Sequence, residues 1–358
     1  MSNRLAIFLF MLLQSIILYA QEFSPHQIRV KAEHGFVMRH TPKLDYIIRN
    51  HTQGLELEWS KQTYGEKPWH QGYNYPTWGL LYSLRNLGNK ELLGNGHALI
   101  FNTRFPLIRN DHWISTFAVG TGPAIIEKRF HNRENYKNIA IGTHLNLAIR
   151  FEASMAYKIK NAGALGAALA FNHYSNGAFT SPNLGLNIPS LGLTYTYFFG
   201  EMKEAVSDTE PAFIRSFEKT IVLVAGVKEI APPGGNKFLV LGSAFTLSRK
   251  LSYKSRLGAG LDLIHDPSAG ERLERDSLSY TTLDNIRTGL FISHEWMISD
   301  FSLITQAGTY LYAKKNTEGN FYQRIGFRYS WNEKYFINVA LKTHFANADY
   351  GEWGIGYR

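Results

Sequence analysis

The chain has 358 residues, enough for one large domain or two of ordinary size, and it carries a net charge of +9. It has no cysteine, which excludes disulfide bonds, and its basic residues are scattered, which favours attraction to anionic lipid head groups over a nucleic-acid partner. Aromatic residues make up 14% of the chain, and together with 31 glycines they favour a sheet-rich protein, in particular a transmembrane barrel with aromatic girdles.

Residues 1–20 have the form of a secretory signal peptide. Arg4 supplies the positive start, an apolar run follows through Leu18, and cleavage is predicted near Ala20. The run is short for a transmembrane anchor, so we expect export. Later in the sequence, no window offers the roughly 18 consecutive apolar residues that a spanning helix needs. The mature chain, 21–358, is therefore either soluble and secreted or embedded in a membrane by another route.

A period-two alternation of apolar and polar residues runs through the mature chain. In residues 138–157 one row, from Ile139 to Tyr157, is almost wholly apolar, whereas the other row includes Arg150 and Glu152. A segment of this length suits a tilted strand that crosses a bilayer, with its apolar row facing lipid and its polar row facing the lumen. The alternation recurs in 301–311, 321–331 and 335–345. The pattern predicts an all-β protein, an antiparallel transmembrane barrel of the outer-membrane type.

The number of alternating segments predicts about 16 strands from near residue 27 to the C-terminus. We expect one wide barrel over 21–358, because the later segments alternate as well as the earlier ones. The alternative is an eight-stranded barrel within 21–200 plus an additional β region, because the aromatic segment ending at Phe199 is typical of a final barrel strand. In either case 21–200 is the motif-bearing half, 200–217 a periplasmic linker, and 218–358 the second half.

Polar residues end the strand that precedes a long connection, 174–187, which is expected on the extracellular side. By strand parity His173 and Ser175 continue the lipid-facing row, and the loop can return Asn187 to the same wall. The imidazole of His173 can then take the hydroxyl proton of Ser175, and Asn187 can hold the other ring nitrogen. Asn176, or the backbone amides of Asn176 and Gly177, can stabilise an oxyanion. The same residues also suit the opening of an ordinary loop, so spacing alone leaves both interpretations open.

Other polar groups are interpreted as structural. Arg150 and Glu152 share an inward row with His144 and predict a charge network in the barrel lumen. Three residues near the C-terminus lack a specific ligand spacing, so no metal site is predicted there: His344, Asp349 and Glu352.

The segment HYSNGAFTSPNLGLN resembles the active-site segment of the outer-membrane lipid A 3-O-deacylase family (PagL-like, grouped with acyloxyacyl hydrolases). That family's pattern is His-x-Ser-Asn, a Pro-Asn-x-Gly loop and then an acidic residue. The resemblance, which covers about residues 160–200, implies that His173 is the general base, Ser175 the nucleophile and Asn176 a contributor to the oxyanion hole. The acidic position falls on Asn187, whose neutral amide cannot stabilise imidazolium charge as a carboxylate does.

The same spacing followed by Asn187 also resembles outer-membrane phospholipase A, in which the third member is Asn and calcium supports the oxyanion. The first resemblance implies a serine esterase of the Gram-negative outer membrane that acts on acyl chains of lipid A or lipopolysaccharide in the outer leaflet. No cofactor is expected, except calcium if the phospholipase interpretation holds. A non-enzymatic porin or structural barrel is the remaining alternative, and the oligomeric state is left open.

Overall fold

The computed structural model describes residues 25–159, 163–199, 214–230, 232–316, 318–345 and 347–358. The predicted signal peptide and most of the predicted linker lie outside these residues, so both stay predictions. Sixteen strands dominate the described residues. No helix within the described ranges is both long and apolar enough to cross a membrane.

The first eight strands form a closed antiparallel barrel. Pairing of the first strand with the eighth closes it, with Val30 opposite Tyr195. A single 3₁₀ turn, Pro42–Leu44, lies in the first connection, and the short helix α1 (Pro68–Gly72) lies in the second. The strands are β1 (His26–Gly35), β2 (Thr52–Gln62), β3 (Thr77–Asn86), β4 (Asn95–Arg109), β5 (Trp113–Ile126), β6 (Leu145–Ile159), β7 (Gly163–Ser175) and β8 (Leu186–Phe198).

The other eight strands form a second closed antiparallel barrel. Its closing pair places Trp353 opposite Ala225. One connection carries the helix α2 (Ser268–Arg275) and a 3₁₀ turn, Thr282–Asn285. The strands are β9 (Phe217–Glu229), β10 (Lys237–Lys250), β11 (Ser255–His265), β12 (Ile286–Ile298), β13 (Phe301–Ala313), β14 (Phe321–Ser330), β15 (Tyr335–His344) and β16 (Asn347–Tyr357).

The all-β prediction and the strand number agree with the structure, but the closure differs from the single wide barrel that we expected. Strand β8 pairs with β7 on one edge and β1 on the other, so it has no edge left for β9. Strand β9 pairs with β10 and β16 in the same way. The alternative of an eight-stranded barrel before residue 200 therefore describes the first half, and the additional β region is a second barrel.

The strand predicted over 138–157 is shorter than expected. It begins at Leu145, because the residues before it form a turn in which Asn138 Oδ1 accepts a hydrogen bond from Ile141 N at 3.2 Å. Ala140 and Ile141 are both fully buried, which breaks the alternation that the sequence suggested. A strand cannot bury two successive side chains on one face.

Within β6 the predicted alternation holds and separates two environments. Leu145 is 65% exposed and Met155 is 50% exposed, whereas Arg150 and Glu152 are buried inside the barrel. Apolar side chains thus cover the outer wall and charged ones fill the lumen, which is the arrangement that a lipid environment requires. The predicted lumenal charge network is confirmed for these two residues. His144 instead precedes the strand, and its Nδ1 lies 2.9 Å from Ile126 O.

The chain divides into two compact units, one for each barrel. The second unit also contains two segments from the sequence of the first barrel, 130–143 and 175–185. The second of these consists of Ser175, the last residue of β7, and the connection to β8, so the polar segment from Ser175 onward belongs to that unit.

Candidate active site

The hairpin of β7 and β8 brings two of the predicted residues together. In its register His173 lies opposite Asn187, one pair before Tyr174 and Leu186 at the open end. Leu165 and Leu169 on β7 are exposed, and His173 continues their outward row as a half-buried residue. The predicted parity places His173 and Asn187 on the outer wall, and the structure has both of them there.

A short hydrogen bond joins these two side chains. His173 Nδ1 lies 2.6 Å from Asn187 Oδ1. Because an amide oxygen only accepts hydrogen bonds, the ring carries its proton on Nδ1. In the neutral imidazole the lone pair is then on Nε2, the nitrogen that a general base needs. The amide of Asn187 therefore fixes the tautomer of His173.

A third side chain, His40, reaches the same amide from the connection after β1. Asn187 Nδ2 lies 3.3 Å from His40 Nδ1. Backbone pairing positions His40 near this amide. Met38 N donates to Asn187 O at 2.7 Å, which continues the pairing of β1 with β8 beyond the strand end. The sequence contains no local signal for His40, because the contact depends on the closure of the barrel by strands about 150 residues apart.

Ser175 is the last residue of β7, two positions beyond His173. Its parity is that of the outward row, but it is only 5% exposed, so it is more enclosed than the open lipid-facing position that the sequence predicted. Tyr174, between them, points the other way and is also buried. The hydroxyl thus lies in a protected position at the strand end.

The connection after Ser175 is held by its own side chains. Asn176 N donates to Asn183 Oδ1 at 3.0 Å, and Asn176 Nδ2 donates to Thr180 O at 2.9 Å. These bonds engage the backbone N–H of Asn176 and one of the two N–H groups of its side-chain amide. Gly177 follows with φ +62°, a left-handed conformation that glycine adopts without strain.

The loop is also anchored within the second compact unit. Gly177 O accepts from Gly351 N at 3.1 Å, and Ala178 O accepts from Glu229 N at 3.2 Å. In both bonds the loop contributes a carbonyl oxygen as acceptor, so neither bond engages an amide group of the loop. Strands β9 and β16 thus fix the backbone that comes after the predicted nucleophile.

Residues 130–143 support the other side of this loop. Gly185 N donates to Ala140 O at 3.0 Å. A Cβ atom added at Gly142 would lie only 2.6 Å from Pro182 O and 2.9 Å from Thr180 O, a spacing that no side chain tolerates. The glycine at 142 is therefore required for the close approach of the two segments.

Two family models match the chain, and between them they match most of both barrels. Residues 53–196, which include His173, Ser175 and Asn187, match the model described as lipid A 3-O-deacylase (PagL). Residues 217–358 match the model described as the C-terminal domain of acyloxyacyl hydrolase. The chain belongs to the PagL family of acyloxyacyl hydrolases. It is accordingly a carboxylic ester hydrolase of the bacterial outer membrane.

The family resemblance predicted from the segment after Phe171 is thereby confirmed, and it extends over much more of the chain than the sequence motif did. Members of the PagL family are ester hydrolases, so the porin alternative is set aside. Comparison with curated proteins gave no match.

Solved structures similar to the chain include PagL itself and a bacterial porin. The crystal structure of the outer membrane enzyme PagL is 20% identical, covers 47% of this chain and 97% of its own, and has a TM-score of 0.29. A mutant of the porin of Rhodopseudomonas blastica is 12% identical, covers 93% of this chain and 98% of its own, and has a TM-score of 0.21. The family assignment rests on the family models.

A second polar cluster lies in the other barrel of this PagL-family chain, and its membership differs from the sequence expectation. Glu318, His344 and Asp349 have ligand atoms within 4.8 Å of one another and could hold a metal ion. Glu352, which the sequence grouped with them, instead accepts a hydrogen bond from Arg324 at 3.0 Å. Both carboxylate oxygens of Asp349 are engaged by lysines, Lys228 at 2.6 Å and Lys342 at 3.1 Å. These ammonium groups already neutralise the carboxylate that a cation would need.

Proposed function

We propose that the protein hydrolyses an acyl ester of lipid A or of a related envelope lipid, with Ser175 as nucleophile and His173 as general base. The observation that carries the proposal is the 2.6 Å contact between His173 Nδ1 and Asn187 Oδ1 on the outer wall, two residues before Ser175. It puts the lone pair of the ring on Nε2, where the imidazole can accept a proton from a hydroxyl. Membership of the PagL family supports the substrate class.

The reaction has the order of steps of other serine esterases. Ser175 Oγ attacks the ester carbonyl carbon while His173 Nε2 takes the hydroxyl proton, and a tetrahedral oxyanion forms. The oxyanion then collapses, the bond to the alcohol oxygen breaks, and His173 returns the proton to that oxygen. The acyl group remains on Ser175. A water molecule deprotonated by His173 attacks the acyl-enzyme and releases the fatty acid and free Ser175.

The oxyanion needs hydrogen-bond donors. Within the described residues no hydrogen bond from Gly177 N occurs, and the left-handed conformation of this glycine turns its amide relative to its neighbours. We assign Gly177 N–H as the donor to the oxyanion. Asn176 holds the loop through its bonds to Asn183 and Thr180, and the second hydrogen of its Nδ2 is a further donor for the oxyanion. These steps use only groups of the chain, the ester and water.

The surface around His173 suits a substrate that remains in a bilayer. Below the site, Leu169 is 64% exposed on β7, and Leu191 and Leu193 are 59% and 71% exposed on β8. Their side chains form an apolar path along the outer wall that can take an acyl chain. A lipid could therefore reach Ser175 from the outer leaflet without leaving the membrane.

A phospholipase of the outer-membrane type is the second candidate function, and the identity of residue 187 favours it. Asn187 is the amide that such an enzyme has as its third member, whereas the PagL pattern has an acid. Hydrolysis of phospholipid that stops when calcium is chelated would support this candidate.

The substrate is tested by mass spectrometry of lipid A from cells with and without the protein. Loss of one acyl chain only in cells that contain the protein is the expected result. A parallel assay offers phospholipid vesicles to purified protein with calcium or with a chelator. Unchanged lipid A together with calcium-dependent cleavage of phospholipid would replace the first candidate by the second.

Replacing Asn187 distinguishes the effect of its hydrogen-bond acceptor from the effect of a negative charge at this position. Asn187→Leu removes the acceptor that keeps the proton on His173 Nδ1, so kcat is expected to fall about 100-fold. Asn187→Asp keeps the acceptor and adds a charge that stabilises the imidazolium, so kcat is expected to equal or exceed that of the wild type. Steady-state hydrolysis of a chromogenic ester in detergent measures both. Equal activity of all three proteins would remove Asn187 from the site.

A further inference from the structure

The amide of Asn187 is asymmetric, and only one of its two orientations serves the site. With Oδ1 towards His173 the ring is protonated on Nδ1 and basic at Nε2. If the amide turned by 180°, the NH₂ group would face Nδ1 and the proton would move to Nε2, where it blocks acceptance from Ser175. A carboxylate at this position would have two equivalent oxygens and would not have this problem. A chain with Asn at residue 187 therefore needs a contact that fixes the amide.

His40 makes that contact. Its Nδ1 lies 3.3 Å from Asn187 Nδ2, the side of the amide that can only donate. For this contact His40 must be neutral and protonated on Nε2, so that Nδ1 accepts. The flipped amide would bring Oδ1 against that lone pair and lose the hydrogen bond. Nδ1 also lies 3.4 Å from Met38 O, a carbonyl that would accept a hydrogen bond from Nδ1–H only in the other tautomer of His40; the contact with Asn187 is the shorter of the two.

The backbone on both sides of His40 is fixed. On one side Phe36 N donates to Pro189 O at 3.2 Å and Met38 N donates to Asn187 O at 2.7 Å, which extends the β1–β8 pairing past Gly35. On the other side the 3₁₀ turn Pro42–Leu44 ends in a fully buried leucine. His40 thus lies between two fixed points of the first barrel.

We propose that His40 is a positioning residue, which orients the amide of Asn187 and through it sets the tautomer of His173. The inference rests on the proposed function, since it assigns the way in which that site is kept in its basic form. His40 itself does not touch the substrate.

A double-mutant cycle tests the proposal. His40→Phe keeps an aromatic ring but removes the acceptor, and it is expected to lower kcat about 5- to 10-fold, the equilibrium effect of one hydrogen bond, with KM unchanged. In the Asn187→Asp background the same His40→Phe change is expected to alter kcat less than about 2-fold, because a carboxylate needs no orientation. An equal loss in both backgrounds, or no loss in the wild type, would overturn the proposal.

Two further measurements distinguish this proposal from the proposed function. The matched control is His51→Phe, which is expected to leave kcat unchanged. His51 stacks on His34 and makes no contact with Asn187 among the described residues. Nitrogen-15 NMR of the His173 ring reports its tautomer without any need for turnover. We expect a proton on Nδ1 in the wild type and a mixture of tautomers in His40→Phe. An unaltered tautomer would refute the role of His40 even if the protein is an esterase, whereas an altered one in a protein inactive on every ester would refute only the proposed function.

Discussion

Replacing Ser175 with alanine is expected to abolish ester hydrolysis, with kcat reduced by about 10³-fold or more and the barrel intact. The mechanism makes Ser175 Oγ the atom that bonds to the acyl group, so no neighbouring group can substitute for it. The change removes one atom at the end of β7, where the backbone pairing with β8 and the contact between His173 and Asn187 do not depend on the hydroxyl. Loss of activity should therefore be a chemical effect and not a folding effect.

The measurement is hydrolysis of a chromogenic ester and of lipid A by purified protein in detergent, with the heat-dependent gel shift of a folded barrel as the test of structure. Ser243→Ala, a serine on strand β10 of the second barrel, is the matched control and should keep full activity. If Ser175→Ala retains activity close to that of the wild type, Ser175 is not the nucleophile.

The strands were predictable because their signal is local. Leu145, Arg150 and Glu152 alternate between lipid and lumen in the structure as they do in the sequence, and alternation needs only neighbours along one strand. The same locality made the pair of His173 and Asn187 predictable, since one hairpin joins them. The connections between strands are less regular: residues 63–76, which carry α1, separate β2 from β3, whereas only residues 110–112 separate β4 from β5.

The sequence could not predict which strands close each barrel, and the reason is physical. Whether β8 pairs with β1 or with β9 depends on edges that are remote in sequence, and the alternation is the same in either case. His40 was missed for the same reason, since it approaches Asn187 only after β1 and β8 have paired. A pattern of period two identifies the faces of strands but not the partners of their edges.

The largest expected effect on stability comes from Glu152, at the centre of the charge network in the first barrel. Its side chain is fully buried and contacts four cations. Arg29 lies 2.8 Å from Oε1, and Arg104 lies at the same distance. Lys31 lies 2.9 Å from Oε2, which Arg150 also contacts. One carboxylate is thus shared by four buried positive charges.

Glu152→Gln keeps the shape of the side chain and removes its charge, so the four cations lose a shared partner while remaining buried. Breaking a buried ion pair from one side costs about 3–5 kcal/mol, and we expect the free energy of unfolding to fall by that amount. Urea or guanidinium unfolding in detergent, followed by tryptophan fluorescence, measures the change. The matched control is Glu91→Gln: Glu91 is 74% exposed in its pair with Arg49, and solvent screening leaves such a pair almost without effect. Equal midpoints for the two variants would show that Glu152 is not the centre of the network, and that the remaining lumenal acids, Glu33, Glu56 and Glu58, can neutralise the cations alone.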